Sequence, residues 1–327
     1  MIAMQVGGAL LTADGWHTWR RVPTPRLRAL WFAGGRYFGW TAANTLVVST
    51  DGSAWSRVPS FSPPAKRASV TDVVDVDHLW ATTQLGATFA TSDGGRSWRR
   101  LKLPCDSEVP DSAAFAFRDA RRGYLACGGE PGAGNQMKWF FTTHDGGQHW
   151  RRVRPDPPTF GYVGSLVVAR GRIYLVADRF GYYVTSHEGH TWQDGNLVSD
   201  DADQIVSLSW PDATHGYALL FQLGLLRTVD GGRTWHQVYP RIGWEPGSEI
   251  SFSSPEHGIG AGIVDGLGFR AAALVRTDDG GRTWRIWSSI PVPLPTQLVR
   301  TGPDTLWAIG HSRTPPRSVG RVTISCS

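Results

Sequence analysis

Short apolar runs separated by turn residues recur along the whole chain. Residues 204–240 show the pattern clearly, with the runs QIVSLSW, YALLF, LLRT and TWHQVYP separated by PDATHG, QLG and VDGGR. Such runs, rich in β-branched and aromatic side chains and bounded by Gly, Pro and Asp, are typical of β-strands joined by tight turns. The same division fits residues 28–59 and 249–290. The pattern therefore predicts modules that are each a meander of four strands, designated A to D in chain order.

One octet recurs at the predicted turn between strands C and D. Its best copies are TSDGGRSW at 91, THDGGQHW at 143, TVDGGRTW at 228 and TDDGGRTW at 277, and weaker copies begin at 12, 49 and 185. The Asp carboxylate can accept hydrogen bonds from the backbone N–H groups of the turn, and Gly adopts conformations that other residues avoid. We expect the final Trp to pack between neighbouring modules. The turn-forming residues are then Asp51, Asp93, Asp145, Asp230 and Asp279, with His187 replacing the Asp in the copy at 185.

An isolated four-stranded module would expose both its faces and its edges, and radial stacking of modules into a β-propeller removes that exposure. Six modules run from 28 to 290, and the terminal stretches GALLTADGWHTWRRVP and TQLVRTGPDTLWAIGH supply two further strands each. The sequence therefore predicts an all-β, seven-bladed β-propeller of four-stranded antiparallel blades. We expect one blade to be closed by pairing of N- and C-terminal strands, with residues 1–327 as a single domain.

The composition, with 41% hydrophobic and 19% charged residues, is that of a globular protein with ample material for a core. The formal charge is +5, but the basic residues are scattered, so nucleic acid is not an expected partner. No apolar stretch approaches the roughly 20 residues that a membrane span needs. Because the start, MIAMQVGGALL, lacks the features of a signal peptide, two locations stay open. The protein is secreted or periplasmic if a signal has been removed, and otherwise cytoplasmic.

The cysteines and histidines show no pattern typical of a metal site. Cys105, Cys127 and Cys326 match no metal-ligand spacing, and the ten His residues form no metal-type pair. Cys105 and Cys127 fall on the same side of the third module, so a disulfide, which would imply an oxidising compartment, and two buried thiols are both open. Gly-rich phosphate loops and serine nucleophile motifs are absent from the sequence. We therefore expect no metal and no cofactor.

The pattern Ser/Thr-x-Asp-x-Gly-x-x-Trp resembles the Asp-box, or bacterial neuraminidase repeat. Sialidases, xyloglucanase-type glycoside hydrolases, sortilin-type receptors and photosystem II assembly and stability factors share it. A single ring with a box in every blade is most similar to the photosystem II assembly factor group and its relatives, and this resemblance implies a protein-binding scaffold. The Arg-Ile-Pro-type motif expected of a sialidase is not reproduced by TPRLRAL at 24–30 or YPRIGW at 239–244.

In such a meander the A–B and C–D turns lie on one side, and the B–C turns and D-to-A links lie on the other. Ligands of propellers bind over the central channel, so the first residue of each A strand matters most. Aligning the modules predicts a channel mouth formed by Arg28, Asp72, Asp111, Gly164, Gln204, Glu249 and Gln297. A glycosidase needs two carboxylates about 5–10 Å apart. The catalytic candidates are therefore Asp72 or Asp111 paired with Glu249, although acids at strand entries also cap backbone groups.

The loops on the same side mix aromatic and Arg side chains, as binding surfaces do. The candidate ligand-binding residues are Arg28, Arg179, Tyr182, Trp244, Arg270, His311 and Arg313, and Glu130 and Lys138 lie in the same loops. Two functions follow from these features. The first is a monomeric, non-catalytic scaffold that holds a protein or another extracellular ligand such as a carbohydrate. The alternative is a carbohydrate-active enzyme, a sialidase-like glycoside hydrolase or a lyase, that works over the channel mouth.

Overall fold

A computed structural model of the chain describes residues 8–13, 18, 20–58, 68–83, 86–105, 113–169, 171–178, 181–197, 205–220, 223–239, 249–265, 270–288, 295–300 and 305–310. Over these residues the structure consists of strands and turns, and all 28 strands belong to four-stranded sheets. The order within each sheet follows a meander, in which A pairs with B, B with C and C with D, always antiparallel.

Seven such sheets are present in the described part of the chain. The first contains β3 (Leu27–Ala33), β4 (Arg36–Thr41), β5 (Leu46–Ser49) and β6 (Ser56–Arg57), and the second contains β7 (Ala68–Val73), β8 (Leu79–Thr83), β9 (Thr88–Thr91) and β10 (Arg99–Arg100). The third contains β11 (Ala113–Phe117), β12 (Gly123–Gly132), β13 (Asn135–Thr143) and β14 (Arg151–Val153), and the fourth contains β15 (Tyr162–Ala169), β16 (Arg172–Asp178), β17 (Gly181–Thr185) and β18 (Gln193–Asn196). The fifth contains β19 (Ile205–Ser209), β20 (Gly216–Leu220), β21 (Gly224–Thr228) and β22 (His236–Tyr239), and the sixth contains β23 (Glu249–Phe252), β24 (Gly258–Asp265), β25 (Arg270–Thr277) and β26 (Arg285–Ser288).

The seventh sheet joins the two ends of the described chain. It contains β27 (Pro295–Arg300), β28 (Leu306–Gly310), β1 (Gly8–Thr12) and β2 (Arg20–Pro23). β28 pairs with β1 in the register Leu11↔Trp307, so the C-terminal strands supply A and B and the N-terminal strands supply C and D. This is the closure that the sequence predicts.

Apolar clusters join each sheet to the next. Phe38 and Trp40 of the first sheet pack with Val70 and Leu79 of the second, and comparable clusters follow at every later interface, including that between the seventh sheet and the first. Each sheet therefore has both faces covered, which explains why many strands are buried throughout rather than alternating. The molecule is a β-propeller with four-stranded antiparallel blades, as predicted.

The octets form the turns that their sequence predicts. In the copy at 228, Thr228 Oγ1 donates to Asp230 Oδ1 at 2.8 Å and accepts from Gly232 N at 3.0 Å, while Asp230 accepts from Thr234 N at 3.0 Å. Both Gly residues have positive φ, 75° and 90°, a region that disfavours side chains. In the copy at 185, His187 Nδ1 lies 3.0 Å from Thr191 Oγ1 and takes over the bridging contact.

The indole of each described octet packs against the preceding sheet, as expected of an anchor between modules. Trp98 lies in the cluster between the first and second sheets, and the other five occupy the equivalent position at their own interfaces, namely Trp55, Trp150, Trp192, Trp235 and Trp284. The octets thus fix their own turn and also the spacing between blades.

A second clamp ties each octet to the A–B turn of its own sheet. Gly94 N donates to Asp77 O at 3.1 Å, and Gly146, Gly231 and Gly280 make the same bond to their own A–B turns. The A–B turns and octets therefore share one side of the molecule, here called the octet face. The opposite side, where the A strands begin and the B–C hairpins lie, is the mouth face.

Candidate functional site

Two B–C hairpins are longer than the rest and project from the mouth face. In the third sheet the β12–β13 ladder continues past the start of β11, at Ala113↔Cys127, as far as Gly132↔Asn135. In the sixth sheet the β24–β25 ladder continues past Glu249↔Ala261 as far as Asp265↔Arg270. These hairpins account for the two longest spacings between successive octets, with the weaker copies included, 91 to 143 and 228 to 277.

The hairpin of the third sheet, residues 128–137, is fastened to the entry of the fourth sheet. Gln136 Nε2 donates to Gly129 O at 2.7 Å, and Gln136 Oε1 accepts from Val163 N at 2.7 Å. Gly161 N donates to Gly134 O at 2.8 Å. The Gln136 side-chain amide thus uses its N–H donor on one backbone segment and its oxygen on another, and it holds the two segments in a fixed arrangement. This hairpin is therefore a rigid projection rather than a loose loop.

Lys138 lies beneath the same hairpin and is 1% exposed, so the expectation that it is a surface residue is wrong. The three N–H groups of its ammonium are shared among five carbonyl oxygens at 2.7–3.3 Å, those of Gln136, Pro158, Thr159, Phe160 and Gly161. Burial lowers the pKa of Lys138 to about 8, so the group is charged at neutral pH. The charge pins the D-to-A link of residues 158–161 against the hairpin.

The other side of the hairpin carries apolar surface. Met137 is 58% exposed, and the half-buried Trp139 ring has the Arg152 guanidinium at 5.8 Å from its centroid. Both side chains flank Gly129, where an added Cβ would lie 3.3 Å from Trp139 and 3.6 Å from Met137. Beneath them a disulfide joins Cys105 to Cys127 with Cα atoms 5.4 Å apart, so the disulfide alternative is the one that the structure contains.

Arg28 is the predicted ligand-binding residue that the structure leaves on the surface at a strand entry. It occupies the bulge between Leu27 and Ala29 at the start of β3, and its Nη1 donates to Asn44 Oδ1 at 3.3 Å. The Arg28 side chain is exposed, and as a bulge residue Arg28 is unpaired in the ladder. Arg28 therefore stays a candidate for contact with a ligand.

Tyr182 does not lie on the surface, and its prediction as a ligand-binding residue is wrong in this respect. The side chain is 0% exposed and packs in the cluster between the fourth and fifth sheets. Its hydroxyl donates to Gly232 O at 3.3 Å and accepts from Trp235 Nε1 at 3.0 Å. Burial raises its pKa above the ordinary value. Tyr182 instead connects the C strand of one sheet to the octet of the next.

Asp72 lies deeper than the predicted mouth. Asp72 pairs with Trp80 in its sheet, and Ser209 pairs with Tyr217 in the fifth sheet. The Trp80 and Tyr217 rings each stack on a Phe of the next sheet. Asp72 and Ser209 therefore occupy the same strand position in their two sheets. Glu249 is equivalent to Ser207, which is two residues, or about 7 Å, nearer the mouth. The alignment that placed Asp72 and Glu249 at one level was wrong, because β23 begins at Glu249 whereas β7 begins at Ala68, before Asp72.

These four side chains bond the exposed edge of the next A strand. Asp72 Oδ2 accepts from Phe117 N at 2.8 Å, and Ser209 Oγ accepts from Phe252 N at 2.8 Å. Ser207 Oγ accepts from Ile250 N at 3.2 Å, and Glu249 Oε2 accepts from Leu298 N. An innermost strand has no further strand to receive its outward N–H groups, so side chains of the preceding sheet receive them.

Both acids have raised pKa values because burial disfavours the charged form. Burial raises the pKa of Glu249 to about 7 against the opposing hydrogen bond from Leu298 N. The pKa of Asp72 is also raised by burial, which outweighs hydrogen bonds from the N–H groups of Phe117 and Val73. Glu249 is therefore the described acid at the mouth that can hold a proton near neutral pH.

The remaining predicted site residues take no part in the contacts described above. Five of them lie outside the described residues, namely Asp111, Arg179, Trp244, His311 and Arg313. Arg270 begins β25 at the end of the sixth sheet's long hairpin, opposite Asp265. Sequence reasoning missed Gln136 and Met137, although the long spacing from 91 to 143 indicates an insertion in that module.

The described residues contain no group of three or more His, Cys, Asp and Glu side chains placed to hold a metal ion. No described helix is long and apolar enough to cross a membrane.

No family model and no curated protein matches the chain. Among solved structures it is similar to YCF48 bound to D1 peptide, with 13% identity and a TM-score of 0.58 over 95% of this chain and 97% of that one. YCF48 from Cyanidioschyzon merolae shows 16% identity and a TM-score of 0.59 over 89% and 98%. A GH74 enzyme of Niastella koreensis shows 14% identity and a TM-score of 0.52 over 86% of this chain and 46% of that one. The resemblance to the photosystem II assembly factor group therefore holds at the level of the fold.

Proposed function

We propose that this chain is a protein-binding scaffold without catalytic activity, built as one seven-bladed Asp-box propeller over residues 1–327. The observation that carries the proposal is the hairpin of residues 128–137, which hydrogen bonds fasten to the fourth sheet and which exposes apolar surface on its other side. The structural likeness to YCF48 bound to D1 peptide supports a peptide-like partner. The disulfide Cys105–Cys127 supports an oxidising compartment.

Rigidity matters for this function because association costs free energy for every side chain and loop that it orders. The hairpin is ordered before binding by Gln136, Lys138 and the disulfide. Met137 then offers exposed apolar area, and Trp139 with Arg152 offers an aromatic and cationic flank of the kind that dominates binding hot spots. Arg28 at the mouth extends the same face. We propose the partner segment to be an extended, partly apolar peptide and the working state to be a monomer.

Selection of displayed peptides on the purified chain tests this proposal. We expect selected peptides to bind, and Met137→Asp to weaken that binding at least about tenfold, because it places a charge at the centre of the apolar surface. Val229→Asp is the matched control, since Val229 is also apolar and 54% exposed but lies in an octet on the opposite face. Equal losses in the two variants, or peptides indifferent to Met137→Asp, would contradict the proposal.

One observation favours the alternative of a carbohydrate-active enzyme. Glu249 has the raised pKa that a general acid needs and lies at the mouth. The GH74 likeness supports the same reading at the level of fold. Against it, Glu249 is engaged by Leu298 N, and Asp72, its proposed partner, uses both oxygens to accept backbone N–H groups. Neither carboxylate is placed as a free acid or nucleophile.

A panel of aryl glycosides, including sialosides and glucuronides, separates the two functions. Under the scaffold proposal we expect no release of the aryl group above the uncatalysed rate from any substrate. Hydrolysis that Glu249→Gln abolishes would establish the enzyme and overturn the scaffold. The circular dichroism spectrum of the variant must match that of the unmodified chain, so that lost activity reports chemistry rather than unfolding.

A further inference from the structure

A groove of about 410 Å³ opens on the octet face between the second and third sheets. Ser92, Trp98 and Arg99 line it from the octet of the second sheet and the strand that follows, and Arg121 and Gln148 line it from the third. Its volume lies within the range of pockets that hold small organic ligands. The groove lies on the side of the molecule opposite the mouth face, so the proposed scaffold function makes no use of it.

The charges that line the groove favour an anion. Neither Arg99 nor Arg121 has a carboxylate partner among the described residues, and Arg121 Nε makes only a 3.4 Å bond to His144 O. The acid that lines the groove is Asp145, whose oxygens accept from Thr143 Oγ1, His149 N and His149 Nδ1 at 2.7–2.9 Å. Burial would raise the pKa of Asp145, but these bonds outweigh it and lower the pKa to about 2. The groove is thus lined by two arginines and by one aspartate whose carboxylate is already engaged within its own turn.

A buried donor supplies an independent indication. Trp80 is 1% exposed, lines the groove, and its indole Nε1 has no hydrogen-bond partner in the described structure. The ring is fixed by stacking on Phe117, with centroids 3.7 Å apart and planes 15° apart. Buried indole N–H groups without partners recur at other blade interfaces of the described chain, but the groove is not lined by any of these residues, namely Trp150, Trp192, Trp210 and Trp307. A buried donor that has no acceptor is unfavourable, so an acceptor atom in the groove is favoured.

We infer that the groove binds a small hydroxylated organic anion of the size and chemistry of a sugar acid. Its carboxylate accepts from Arg99 and Arg121, and planar guanidinium groups suit an oxyanion because they donate two parallel hydrogen bonds. Ser92 and Gln148 provide polar groups for hydroxyls, the Trp80 N–H meets an acceptor oxygen, and Trp98 offers an apolar wall. The lining matches an acceptor-rich ligand larger than an inorganic ion.

Calorimetric titration of the full chain with sodium glucuronate, glucose and sodium sulfate tests the inference. We expect glucuronate to bind and glucose not to bind, because the carboxylate is the group recognised. Arg121→Gln should weaken glucuronate binding at least about tenfold, the effect of losing one charge-assisted hydrogen bond. Arg122→Gln is the matched control, because Arg122 is the adjacent residue, pairs with Asp119 at 2.7 Å and does not line the groove. It should leave binding within about twofold.

Trp80→Phe is the second variant, because it keeps an aromatic ring on Phe117 and removes only the indole donor. It should weaken glucuronate binding several-fold while thermal unfolding shows the chain to be folded. The inference fails if glucuronate gives no heat up to about 10 mM. It also fails if glucose or sulfate binds as tightly as glucuronate, or if the two arginine variants behave alike. None of these outcomes bears on peptide binding at the mouth face.

Discussion

Replacing Lys138 with Met is expected to lower the free energy of unfolding by about 3 kcal/mol, the cost of breaking a buried charged group away from its partners. Lys138 is 1% exposed, and its three ammonium N–H groups are shared among five carbonyl oxygens. Met has nearly the same length and fills the space, but it donates nothing. The substitution therefore separates the loss of hydrogen bonds from the loss of packing.

The expected damage is concentrated in one region. The carbonyls of Pro158, Thr159, Phe160 and Gly161 belong to the link that enters the fourth sheet. The Tyr183 hydroxyl also donates to Phe160 O, at 2.9 Å. Without the ammonium, Thr159 O keeps the Gln136 N–H at 2.7 Å and Phe160 O keeps the Tyr183 hydroxyl. The carbonyls of Pro158 and Gly161 must turn to solvent or remain unpaired, which is unfavourable. We therefore expect amide exchange to accelerate in residues 128–137 and 158–161 before other parts of the chain.

Urea unfolding and hydrogen exchange of Lys138→Met are compared with those of Lys102→Met. Lys102 is exposed, so the same substitution should change the free energy of unfolding by less than about 0.5 kcal/mol. Similar values for the two variants, or faster exchange spread evenly over all sheets, would show that the carbonyl cage does not hold the hairpin. In that case the rigidity on which the scaffold proposal relies would be lost as well.

The octets were predictable because their chemistry is local. Thr228, Asp230 and Gly232 bond to one another within a few residues, so the turn and the strands around it can be read from one copy and checked against the others. The pairing of β28 with β1 followed from the half-modules left at each end. Repetition supplied the fold, since a sheet of this type is stable only when neighbours cover it.

The candidate site was less predictable because its contacts are between distant segments. Lys138 and Tyr182 were expected on loop surfaces, but a propeller sheet is covered on both faces and buries consecutive residues of its middle strands. Nothing in the residues near Lys138 indicates that the carbonyls of residues 158–161 surround it. The two-residue error at Asp72 arose because the local sequence does not mark the residue at which β7 begins, Ala68.

Replacing Glu249 with Gln is expected to stabilise the protein at alkaline pH and to have little effect at acidic pH. Burial raises the pKa of Glu249 to about 7 from the ordinary value of 4.5. The folded state therefore binds more protons than the unfolded state between these two values, and the stability that the protonated carboxyl contributes is lost as pH rises through 7. Gln stays neutral and keeps an oxygen that accepts from Leu298 N.

The gain of Glu249→Gln over the unmodified chain should reach about 2 kcal/mol above pH 8, after allowance for partial exposure of the carboxyl, and should vanish near pH 4. Urea unfolding across this pH range measures it, with Glu130→Gln as control because Glu130 is exposed on the long hairpin. A difference between Glu249→Gln and the unmodified chain that is constant with pH would contradict the raised pKa.

If the neutral amide makes the protein more stable, the ionised carboxyl of Glu249 destabilises the fold. The hydrogen bond from Leu298 N does not require an acceptor that can ionise. The Ser207 hydroxyl makes the equivalent bond without carrying a charge. Confirmation would therefore show that Glu249 carries a cost in stability at high pH that the hydroxyl of Ser207, at the equivalent position of the fifth sheet, avoids.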